Sequence, residues 1–426
     1  MTALVIGAAV SGRAAAALLR SHGEKVILYD ADVGALEGAE ADESHGGEWD
    51  RALLDGVDLV IASPGVPEHA APVRDSISSG LPLWSELELG FRHLDAPVIA
   101  VTATNGKTTV TELAAHMLRA SGLDAAAAGN IGDPLCAAVG HPWDVVVVEA
   151  SSFQLRFVDR FHAGAAVLLN VAPDHLDWHR SFEAYAAAKA RILERQTSDD
   201  VVVYDADDAG ATGLVASASG RLVPVSGRMR PPGGWGRDGD VLALQGVSVP
   251  LDAMPRPDAV MLVDVAAAAQ AAIHMGATPS GILEVATAFR PGPHRRQVIG
   301  TWGGVTWVND SKATNPHAAI ASVRDHESVI LIAGGRNKGL DIGGLPLEPN
   351  VRHVIAIGEA AAELAAAGRP STVAATIEEA VAIADEMSRE GDTVLLAPGC
   401  ASFDMFRSYA DRGERFAAAV RSRKET

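Results

Sequence analysis

The sequence lacks the features of a secreted, membrane-embedded or nucleic-acid-binding protein. Its 426 residues include two cysteines, Cys136 and Cys400, in no paired spacing, so neither a metal clip nor a redox couple is expected and a reducing compartment is favoured. Lysine and arginine total 35 against 54 acidic residues, and the net charge of −19 disfavours a nucleic-acid partner. No apolar run reaches the ~18 residues of a membrane span, and the N-terminus lacks the charged region and cleavage site of a signal peptide. We therefore expect a cytoplasmic protein with no membrane insertion.

The apolar content is ample for several folded domains. Hydrophobic residues make up 48% of the chain, and a prior of ~100 to 200 residues per domain predicts two or three domains. We expect three, over residues 1–94, 95–290 and 291–426, with the second boundary at the PGPH stretch Pro291–His294. Strand-like and helix-like segments alternate throughout, which indicates an α/β fold in which each domain has a mainly parallel sheet and flanking helices.

Short apolar runs and Ala-rich stretches define this alternation. Strands are predicted over Ala3–Ile6, Lys25–Asp30, Asp58–Ala62, Pro97–Thr102, Asp144–Val148, Ala165–Leu169, Val201–Tyr204, Ser328–Ala333, Val354–Ile357 and Thr393–Leu396. Helices are predicted over Ser11–Leu19, Glu86–His93, Phe182–Gln196 and Met261–Met275. The Gly- and Pro-rich stretch Gly227–Gly239 is expected to be a loop or a hairpin.

Two turns near the N-terminus are candidate ligand contacts. The turn GAAVSG has Gly7 and Gly12, but Ala9 stands where a dinucleotide fingerprint has its second glycine, so it is weak evidence for NAD. The turn SPGV, Ser63–Val66, follows another strand at the carboxyl edge of the predicted sheet, where ligands commonly bind.

The strongest local motif is VTATNGKTTV, Val101–Val110, between an apolar strand and a helix. Its GKT core predicts a phosphate-binding loop in which backbone amides hold phosphate oxygens, Lys107 neutralises their charge and Thr108 binds Mg²⁺. A complete Walker loop has glycine where this chain has Val101, so the loop is a shortened form. The alternative is a capped helix start with a surface lysine, which the order strand, loop, helix disfavours.

Carboxylates and histidines follow two further strands of the central region. Glu149 ends a strand on the same predicted sheet edge as the phosphate loop, where a carboxylate can hold a hard cation. The segment APDHLDWH gathers Asp174, His175, Asp177 and His179. Zinc is possible there, but the lack of cysteine ligands and of an HExxH spacing favours Mg²⁺ and phosphate chemistry. Asp177 and His179 are expected to be structural or surface residues.

Polar residues in the last third of the chain also follow predicted strands. The loop VNDSKATNPHA places Asp310, Ser311, Lys312 and Thr314 where a substrate can be recognised, although helix capping by Thr314 or Asn315 accounts for part of the pattern. Lys189 lies in a predicted helix and, taken alone, would be interpreted as an exposed lysine, while Lys338 and Ser402 would carry little meaning alone.

Taken together, these motifs resemble those of the Mur ligases, in matching order over essentially the whole chain. TNGKT is shared across that superfamily, which includes folylpolyglutamate synthases, whereas NDSKATNP, EASSFQL and CASFDMF resemble the glutamate-adding member. The resemblance implies a Rossmann-like N-terminal domain, a P-loop ATPase central domain and a Rossmann-like C-terminal domain, in a monomer that uses ATP and Mg²⁺. It also implies that UDP-N-acetylmuramoyl-L-alanine and D-glutamate are the substrates, joined through an acyl phosphate.

The resemblance further implies roles for individual residues. The UDP substrate would contact Ser11, Gly12, Asp30, Ser63, Pro64, Gly65 and Asn130. ATP would be held by Thr104, Asn105, Gly106, Lys107, Thr108, Thr109, Arg295 and Asp310. Mg²⁺ would be held by Thr108, Glu149, His175 and Lys189, with Lys189 carbamylated. Lys312 and Thr314 would lie near the transferring phosphate and the glutamate, and the incoming glutamate would be held by Lys338, Ser402 and Tyr409. Catalysis would fall to Lys107, His175, Lys189 and Lys312.

Two departures from the family pattern concern the ATP site. The family usually has glycine at the position of Ala103, and an alanine held in the left-handed conformation would cost about 1 to 2 kcal/mol. The family's adenine-side HNxxN segment corresponds to LVDVA, Leu262–Ala266, so no site is assigned there. Three other interpretations stay open: a ligase with another amino acid or a pterin polyglutamate acceptor, a nucleotide-binding regulator without turnover, and an NAD-dependent oxidoreductase.

Overall fold

The computed structural model describes residues 1–424, and it confirms the predicted α/β fold class. Within those residues the named strands form three separate sheets, each mainly parallel and flanked by helices. The chain divides into two compact units, the first made of Met1–Val171 and Trp178–Phe289 and the second of Ala172–Asp177 and the chain from Arg290 onward. The three-domain boundaries predicted from the sequence remain a prediction. Over residues 1–424, no helix is both long and apolar enough to cross a bilayer.

The first sheet and its helices occupy the N-terminal part of the first unit: β1 (Thr2–Ile6), α1 (Val10–Ser21), β2 (Lys25–Asp30), β3 (Glu43–Gly46), β4 (Leu59–Ala62), α2 (Ala71–Ser79), β5 (Leu83–Ser85) and α3 (Glu86–Arg92). The sheet is parallel, in the order β3-β2-β1-β4-β5. β1, β2 and β4 are nearly continuous apolar runs because both faces of the sheet are covered. The strand order reverses at β1, so a crevice opens at its carboxyl end beside the turn GAAVSG.

The second sheet follows in the same unit, with these elements: β6 (Val98–Thr102), α4 (Lys107–Ala120), β7 (Ala125–Gly129), β8 (Val145–Glu149), α5 (Ser152–Leu155), β9 (Ala165–Leu168), α6 (Leu176–His179), α7 (Phe182–Ala190), β10 (Val201–Asp205), α8 (Ala209–Val215), β11 (Arg221–Ser226), β12 (Trp235–Asp238), β13 (Val241–Leu244), β14 (Val247–Pro250), α9 (Ala259–His274) and α10 (Pro279–Ala288). Its order is β14-β13-β12-β11-β10-β9-β6-β8-β7. Strands β6 to β12 pair in parallel, and β12, β13 and β14 form an antiparallel edge.

The structure tests two sequence predictions for this region. The stretch Gly227–Gly239 leads into a hairpin, since β12 pairs antiparallel with β13. The single helix predicted over Phe182–Gln196 is wrong, because α7 ends at Ala190 and a tighter 3-10 turn follows over Arg191–Leu193. That turn places the side chains of Ile192 and Leu193 in the core, although a continuous helix had been expected over these residues.

Helices α4 and α9 cover one face of the second sheet. Seven of the 16 residues of α9 are alanine, and its residues from Leu262 to Ala272 are buried. Small side chains allow the helix backbone to approach closely, so α9 packs tightly against α4 and against the strands. This packing holds the N-terminus of α4, and with it the loop Ala103–Gly106, at the carboxyl end of β6.

The third sheet belongs to the second unit, with these elements: β15 (Gln297–Trp302), β16 (Val305–Asn309), α11 (Pro316–Val323), β17 (Val329–Gly334), β18 (Val351–Ile357), α12 (Ala361–Ala365), β19 (Ser371–Val373), α13 (Ile377–Met387), β20 (Thr393–Leu396) and α14 (Tyr409–Lys424). Its order is β15-β16-β20-β17-β18-β19. Only β15 runs antiparallel to its neighbour among the strands of this sheet within residues 1–424. The loops after β16, β17 and β20 therefore lie at one carboxyl edge.

Candidate active site

The phosphate loop connects β6 to α4 in the middle of the second sheet. Gly106 is the N-cap of α4 and has a φ of 93°, in the left-handed region. A Cβ at this position would lie 2.9 Å from Leu169 Cδ1 and 3.0 Å from Asp264 Oδ1. Glycine is therefore required here both by the backbone conformation and by the space available.

Lys107 folds back over this loop. Its Nζ donates to the carbonyl oxygens of Ala103 at 2.8 Å and Thr104 at 3.1 Å, so the ammonium group lies within the turn. A cation in this position can neutralise a bound phosphate. Thr108, in the first turn of α4, is partly exposed, whereas Thr109 is buried.

Lys189 reaches the same loop from α7. Its side chain is buried, and its Nζ donates to Ala103 O at 2.8 Å and to Thr102 Oγ1 at 3.4 Å. The ammonium group also lies 4.7 Å from the centre of the Tyr185 ring, whose hydroxyl is hydrogen-bonded to Thr104 Oγ1 at 2.9 Å. The interpretation of Lys189 as an exposed helix lysine, which the sequence alone would favour, is wrong.

Glu149 ends β8 beside the phosphate loop, opposite Val101 in the parallel pairing of β8 with β6. Its Oε1 accepts a hydrogen bond from Asn130 Nδ2 at 2.8 Å, while its buried Oε2 has no hydrogen-bond partner within residues 1–424. An unsatisfied buried carboxylate oxygen costs free energy, and a bound cation would relieve that cost. The side chain of Glu149 therefore fits the role of a Mg²⁺ ligand.

Asn170 follows β9 at the same sheet edge and contacts the phosphate loop through three hydrogen bonds. Its Oδ1 accepts from Asn105 N at 2.8 Å, its Nδ2 donates to Asn105 O at 3.0 Å, and its backbone oxygen accepts from Thr104 N at 2.8 Å. The side-chain amide thus pairs with the backbone N–H and C=O of Asn105 as a residue of a neighbouring antiparallel strand would.

The two departures from the family pattern are accommodated without backbone strain. Within residues 1–424, the non-glycine residues with positive φ do not include Ala103, so the expected cost of a left-handed alanine does not arise. Ala103 is instead fully buried in the core under α4. The segment Leu262–Ala266 lies inside α9, and within it Asp264 is buried against Gly106.

The N-terminal turns are shaped by residues predicted to bind the UDP substrate. Ser63 is buried, and its Oγ donates to Gly7 O at 3.0 Å. A Cβ on Gly12 would lie 1.7 Å from Gly7 O, so α1 can begin this close to β1 only with glycine there. Ser11 and Pro64 are partly exposed at this edge.

Asp30 and Gly65 belong to the same edge. The Asp30 carboxylate accepts from Ala8 N at 2.7 Å and from Asp32 N at 2.9 Å, so it organises two turns. Gly65 is exposed, and no atom lies within 4 Å of the position of a Cβ there among residues 1–424. The turn SPGV therefore offers open space beside the crevice at β1.

Asp174 is a buried carboxylate of the second unit. It accepts from Asn315 Nδ2 at 3.0 Å, and Lys338 Nζ lies 3.4 Å from its Oδ1. Burial acts to raise the pKa of Asp174, but Lys338 and His175 outweigh it and hold the pKa below its usual value. The loop lysine predicted to bind glutamate is thus paired with an aspartate of the segment Ala172–Asp177.

The four titratable residues of APDHLDWH are divided between the two units. His175, with a φ of 53°, belongs with Asp174 to the second unit, whereas His179 lies in the first unit and donates to or accepts from Ser152 Oγ at 2.9 Å while stacking on Phe153. Within residues 1–424, no group of three His, Cys, Asp or Glu side chains is placed to hold a metal ion. His179 is therefore a buried structural residue, as predicted, and Asp177 is exposed.

The turn after Pro291 brings His294, Arg295 and Arg296 to the start of the third sheet. His294 has a φ of 64°, is buried, and accepts at Nδ1 from Asn309 Nδ2 at 3.1 Å. Burial lowers its pKa. Asp310, predicted to contact the nucleotide, accepts from Arg296 N at 3.1 Å, while Arg295 is partly exposed.

A buried arginine, Arg412, binds the backbone and a side chain of the loop NDSKATNP. Arg412 Nε donates to Ser311 Oγ at 3.0 Å, and its two terminal nitrogens donate to the carbonyl oxygens of Ser311 at 2.9 Å and Cys400 at 3.2 Å. Burial lowers the pKa of Arg412 to about 10. Lys312 Nζ lies 4.1 Å from the ring centre of Tyr409.

The remaining predicted residues of the third sheet flank this loop. Thr314 is partly exposed, Ser402 is buried, and the helix α11 is capped by Asn315, whose side chain accepts from Ala318 N. Sequence reasoning had offered Thr314 or Asn315 as the cap, and the structure selects Asn315.

Several residues of the site were missed from the sequence: Asn170, Tyr185, Asp264 and Arg412. Asn170 could have been noticed, because it directly follows a strand at the edge that carries the phosphate loop. Tyr185 and Arg412 act through long-range contacts that no local pattern predicts.

Comparison with known proteins identifies the family. The chain matches the Mur ligase middle domain over residues 101–226 and the Mur ligase, glutamate ligase domain, over residues 294–400. It is 43% identical to a UDP-N-acetylmuramoylalanine--D-glutamate ligase of Frankia casuarinae over 99% of this chain and 94% of the relative, and 38% identical to one of Pelotomaculum thermopropionicum over 99% and 98%. Its fold is similar to that of a MurF ligase from Thermotoga maritima in complex with ADP, with a TM-score of 0.59 and 16% identity over 94% of this chain and 95% of that one. On this evidence the chain belongs to the Mur ligase family.

Proposed function

We propose that this chain is an ATP-dependent ligase that joins D-glutamate to UDP-N-acetylmuramoyl-L-alanine in the synthesis of peptidoglycan precursors. Relatives matched over nearly their whole length carry that activity in their names. The observation that carries the proposal is the sheet edge where the phosphate loop, Lys189 and Glu149 meet. An edge with two lysines and a carboxylate beside helix-terminal amides suits phosphoryl transfer.

The reaction must first convert a poor leaving group into a good one. An amine does not displace oxide from a carboxylate, so an oxygen of the alanyl carboxylate attacks the γ-phosphorus of ATP and ADP leaves. The neutral amine of D-glutamate then attacks the acyl carbon, loses a proton, and inorganic phosphate departs as the amide bond forms.

The phosphate loop supplies the charge for the first step. Lys107 would turn from the carbonyl oxygens of Ala103 and Thr104 to the β- and γ-phosphates, and backbone amides at the N-terminus of α4 would hold phosphate oxygens. Arg295 and Asp310 are proposed to contact the nucleotide from the second unit, and Thr109 supports the loop from the buried side of α4.

Mg²⁺, held by Thr108, Glu149, His175 and Lys189, would neutralise charge on the phosphoryl group when bound. The orphaned Oε2 of Glu149 supports this assignment. Carbamylation of Lys189 would convert a buried cation next to Lys107 into an anion that suits a hard metal.

Substrate binding is assigned to the three predicted domains. Residues 1–94 would bind the UDP group through the turns around Ser11, Asp30 and Ser63, with Asn130 of the central domain as a further contact. Residues 95–290 would bind ATP. Residues 291–426 would bind glutamate through Lys312, Thr314, Lys338, Ser402 and Tyr409. We further propose a monomer that works in the cytoplasm, where its ATP is supplied.

The test is product formation with defined substrates. The protein is incubated with ATP, Mg²⁺ and UDP-N-acetylmuramoyl-L-alanine, with D- and L-glutamate offered separately, and the products are weighed by mass spectrometry. We expect a glutamyl adduct and ADP with the D-isomer. ADP release without an adduct, or an adduct only with another amino acid, would overturn the proposed substrate.

A further inference from the structure

We propose that Asn170 is a positioning residue for the phosphate loop, because its carboxamide fixes the backbone N–H and C=O of Asn105 in the orientation that phosphate binding needs. The inference rests on the proposed ATP-dependent function and extends it to the group that sets the shape of the loop. Asn170 itself would contact neither ATP nor the acceptor, so it acts through the loop.

The contact is a two-point clamp on the backbone of one residue, Asn105. Asn170 Oδ1 accepts from Asn105 N at 2.8 Å, and Asn170 Nδ2 donates to Asn105 O at 3.0 Å. A third bond runs from Thr104 N to the backbone oxygen of Asn170 at 2.8 Å. The two side-chain bonds reach the peptide groups on either side of Asn105, so together they restrain the rotation of both groups, which a single bond would not do.

This clamp complements the lysine contacts of the same loop. The carbonyl oxygens of Ala103 and Thr104 accept from lysine ammonium groups, and that of Asn105 accepts from Asn170. Lys107 must give up its loop contacts when it turns to the phosphates. The Asn170 clamp uses no group that the reaction needs, so it can persist while nucleotide binds.

Asn170 is itself held in place. It directly follows β9, and the next backbone amide, Val171 N, donates to Asp208 Oδ1 at 3.2 Å. Asp208 is the N-cap of α8, where its side chain also accepts from Ala211 N at 2.7 Å. The clamp is therefore anchored to a strand end and a helix cap, which preorganises it.

The test compares Asn170→Ala and Asn170→Asp with a matched control, Gln196→Ala. Gln196 is also a buried amide that bonds backbone groups of this sheet, donating to Ala163 O at 3.2 Å and Val201 O at 3.0 Å, but at the opposite ends of the strands. Steady-state kinetics with each substrate varied, and calorimetric titration with ADP and Mg²⁺, are measured for all variants.

We expect Asn170→Ala to raise KM for ATP and Kd for ADP roughly tenfold, from the loss of two hydrogen bonds. The KM values for the UDP substrate and for glutamate should change less than twofold. Asn170→Asp should be at least as impaired, because it replaces the donor to Asn105 O with a negative charge. Gln196→Ala should leave ADP binding within twofold of the parent.

Equal increases in the KM values of all three substrates would overturn the proposal, as would unchanged ADP binding in a folded Asn170→Ala protein. If Asn170→Ala does not fold, Asn170→Ser, which keeps one hydrogen-bonding group, gives the same comparison. ADP titration separates this inference from the proposed reaction, since a protein that binds ADP but forms no amide product still reports whether Asn170 shapes the loop.

Discussion

Lys107 and Lys189 share one acceptor: each ammonium group donates to the carbonyl oxygen of Ala103 at 2.8 Å. Lys189 is buried, so little solvent screens the repulsion between the two charges. Binding of triphosphate would relieve the repulsion from the side of Lys107, and carbamylation would relieve it from the side of Lys189. The shared acceptor therefore connects phosphate binding at Lys107 with the charge and carbamylation of the buried Lys189.

Lys189→Ala should lower kcat by at least 100-fold, because it removes the anion proposed to bind metal. Added acetate should restore part of the activity, since a small carboxylate can enter the space left by the side chain and supply the missing charge. The measurement is ADP release with the full substrate set, with and without acetate.

Lys189→Arg is the control, because it keeps a cation and leaves no space. Acetate should not restore its activity. Near-normal turnover of Lys189→Ala without acetate would show that Lys189 is not needed for catalysis.

Ala103→Gly should not improve ATP binding, although glycine is usual at this position in the family. Ala103 already adopts an ordinary backbone conformation and is fully buried, so the change removes packing and adds freedom to the unfolded chain. We expect an unchanged KM for ATP and a loss of about 1 kcal/mol in the free energy of unfolding, measured by urea denaturation. A severalfold drop in KM would mean that the alanine does constrain the loop.

Gly106→Ala should weaken nucleotide binding by more than tenfold, because its Cβ would meet Leu169 and Asp264 at a residue with a φ of 93°. Gly122, just beyond the other end of α4, has a φ of 85°, and a Cβ added there would have no neighbouring atom within 4 Å among residues 1–424. Gly122→Ala therefore carries the backbone strain of about 1 kcal/mol without the collision. ADP titration of both variants isolates the effect on the loop, and equal affinities would contradict it.

Glu86→Gln should change the pH dependence of stability. Glu86 is fully buried at the start of α3, and burial, offset in part by the hydrogen bond from Cys136 N at 2.6 Å, raises its pKa from 4.5 to about 7. The folded chain thus holds a proton that the unfolded chain releases, so this contribution to stability is complete below pH 4.5 and is lost as the pH rises to 7. The loss amounts to roughly 3 kcal/mol.

Urea unfolding at pH 5 and pH 8 checks this prediction. The parent protein should lose stability between the two values, and Glu86→Gln should lose less. Glu378→Gln changes an exposed residue and should follow the parent. A variant at Glu86 with the same pH dependence as the parent would contradict a buried, protonated carboxyl group.

Much of the fold could be predicted because its strands are short apolar runs with few alternatives. Lys25–Asp30 and Thr393–Leu396 were located to the residue, and the phosphate loop was recognised from one motif between a strand and a helix. The end of α7 at Ala190 could not be predicted, since core packing of Ile192 tightens the chain without a Gly or Pro signal.

The candidate site was predictable to the extent that its residues lie in local motifs. Contacts between distant segments were not, because they depend on which strand ends become neighbours. Asn170 and Asn105 are 65 positions apart, and Ser311 and Arg412 are 101 positions apart. The conformation of Ala103 was also beyond reach, since the family's glycine suggested a strain that the chain avoids.

The short segment Ala172–Asp177 belongs to the second unit, so it interrupts the first unit along the sequence. A fragment ending at Phe289 would carry Asp174 but would lack Asn315 and Lys338, its partners in the second unit. A fragment that starts at Arg290 would in turn leave Asn315 and Lys338 without the carboxylate that they contact. Neither unit can therefore be excised as one uninterrupted stretch of the gene without leaving a defect behind.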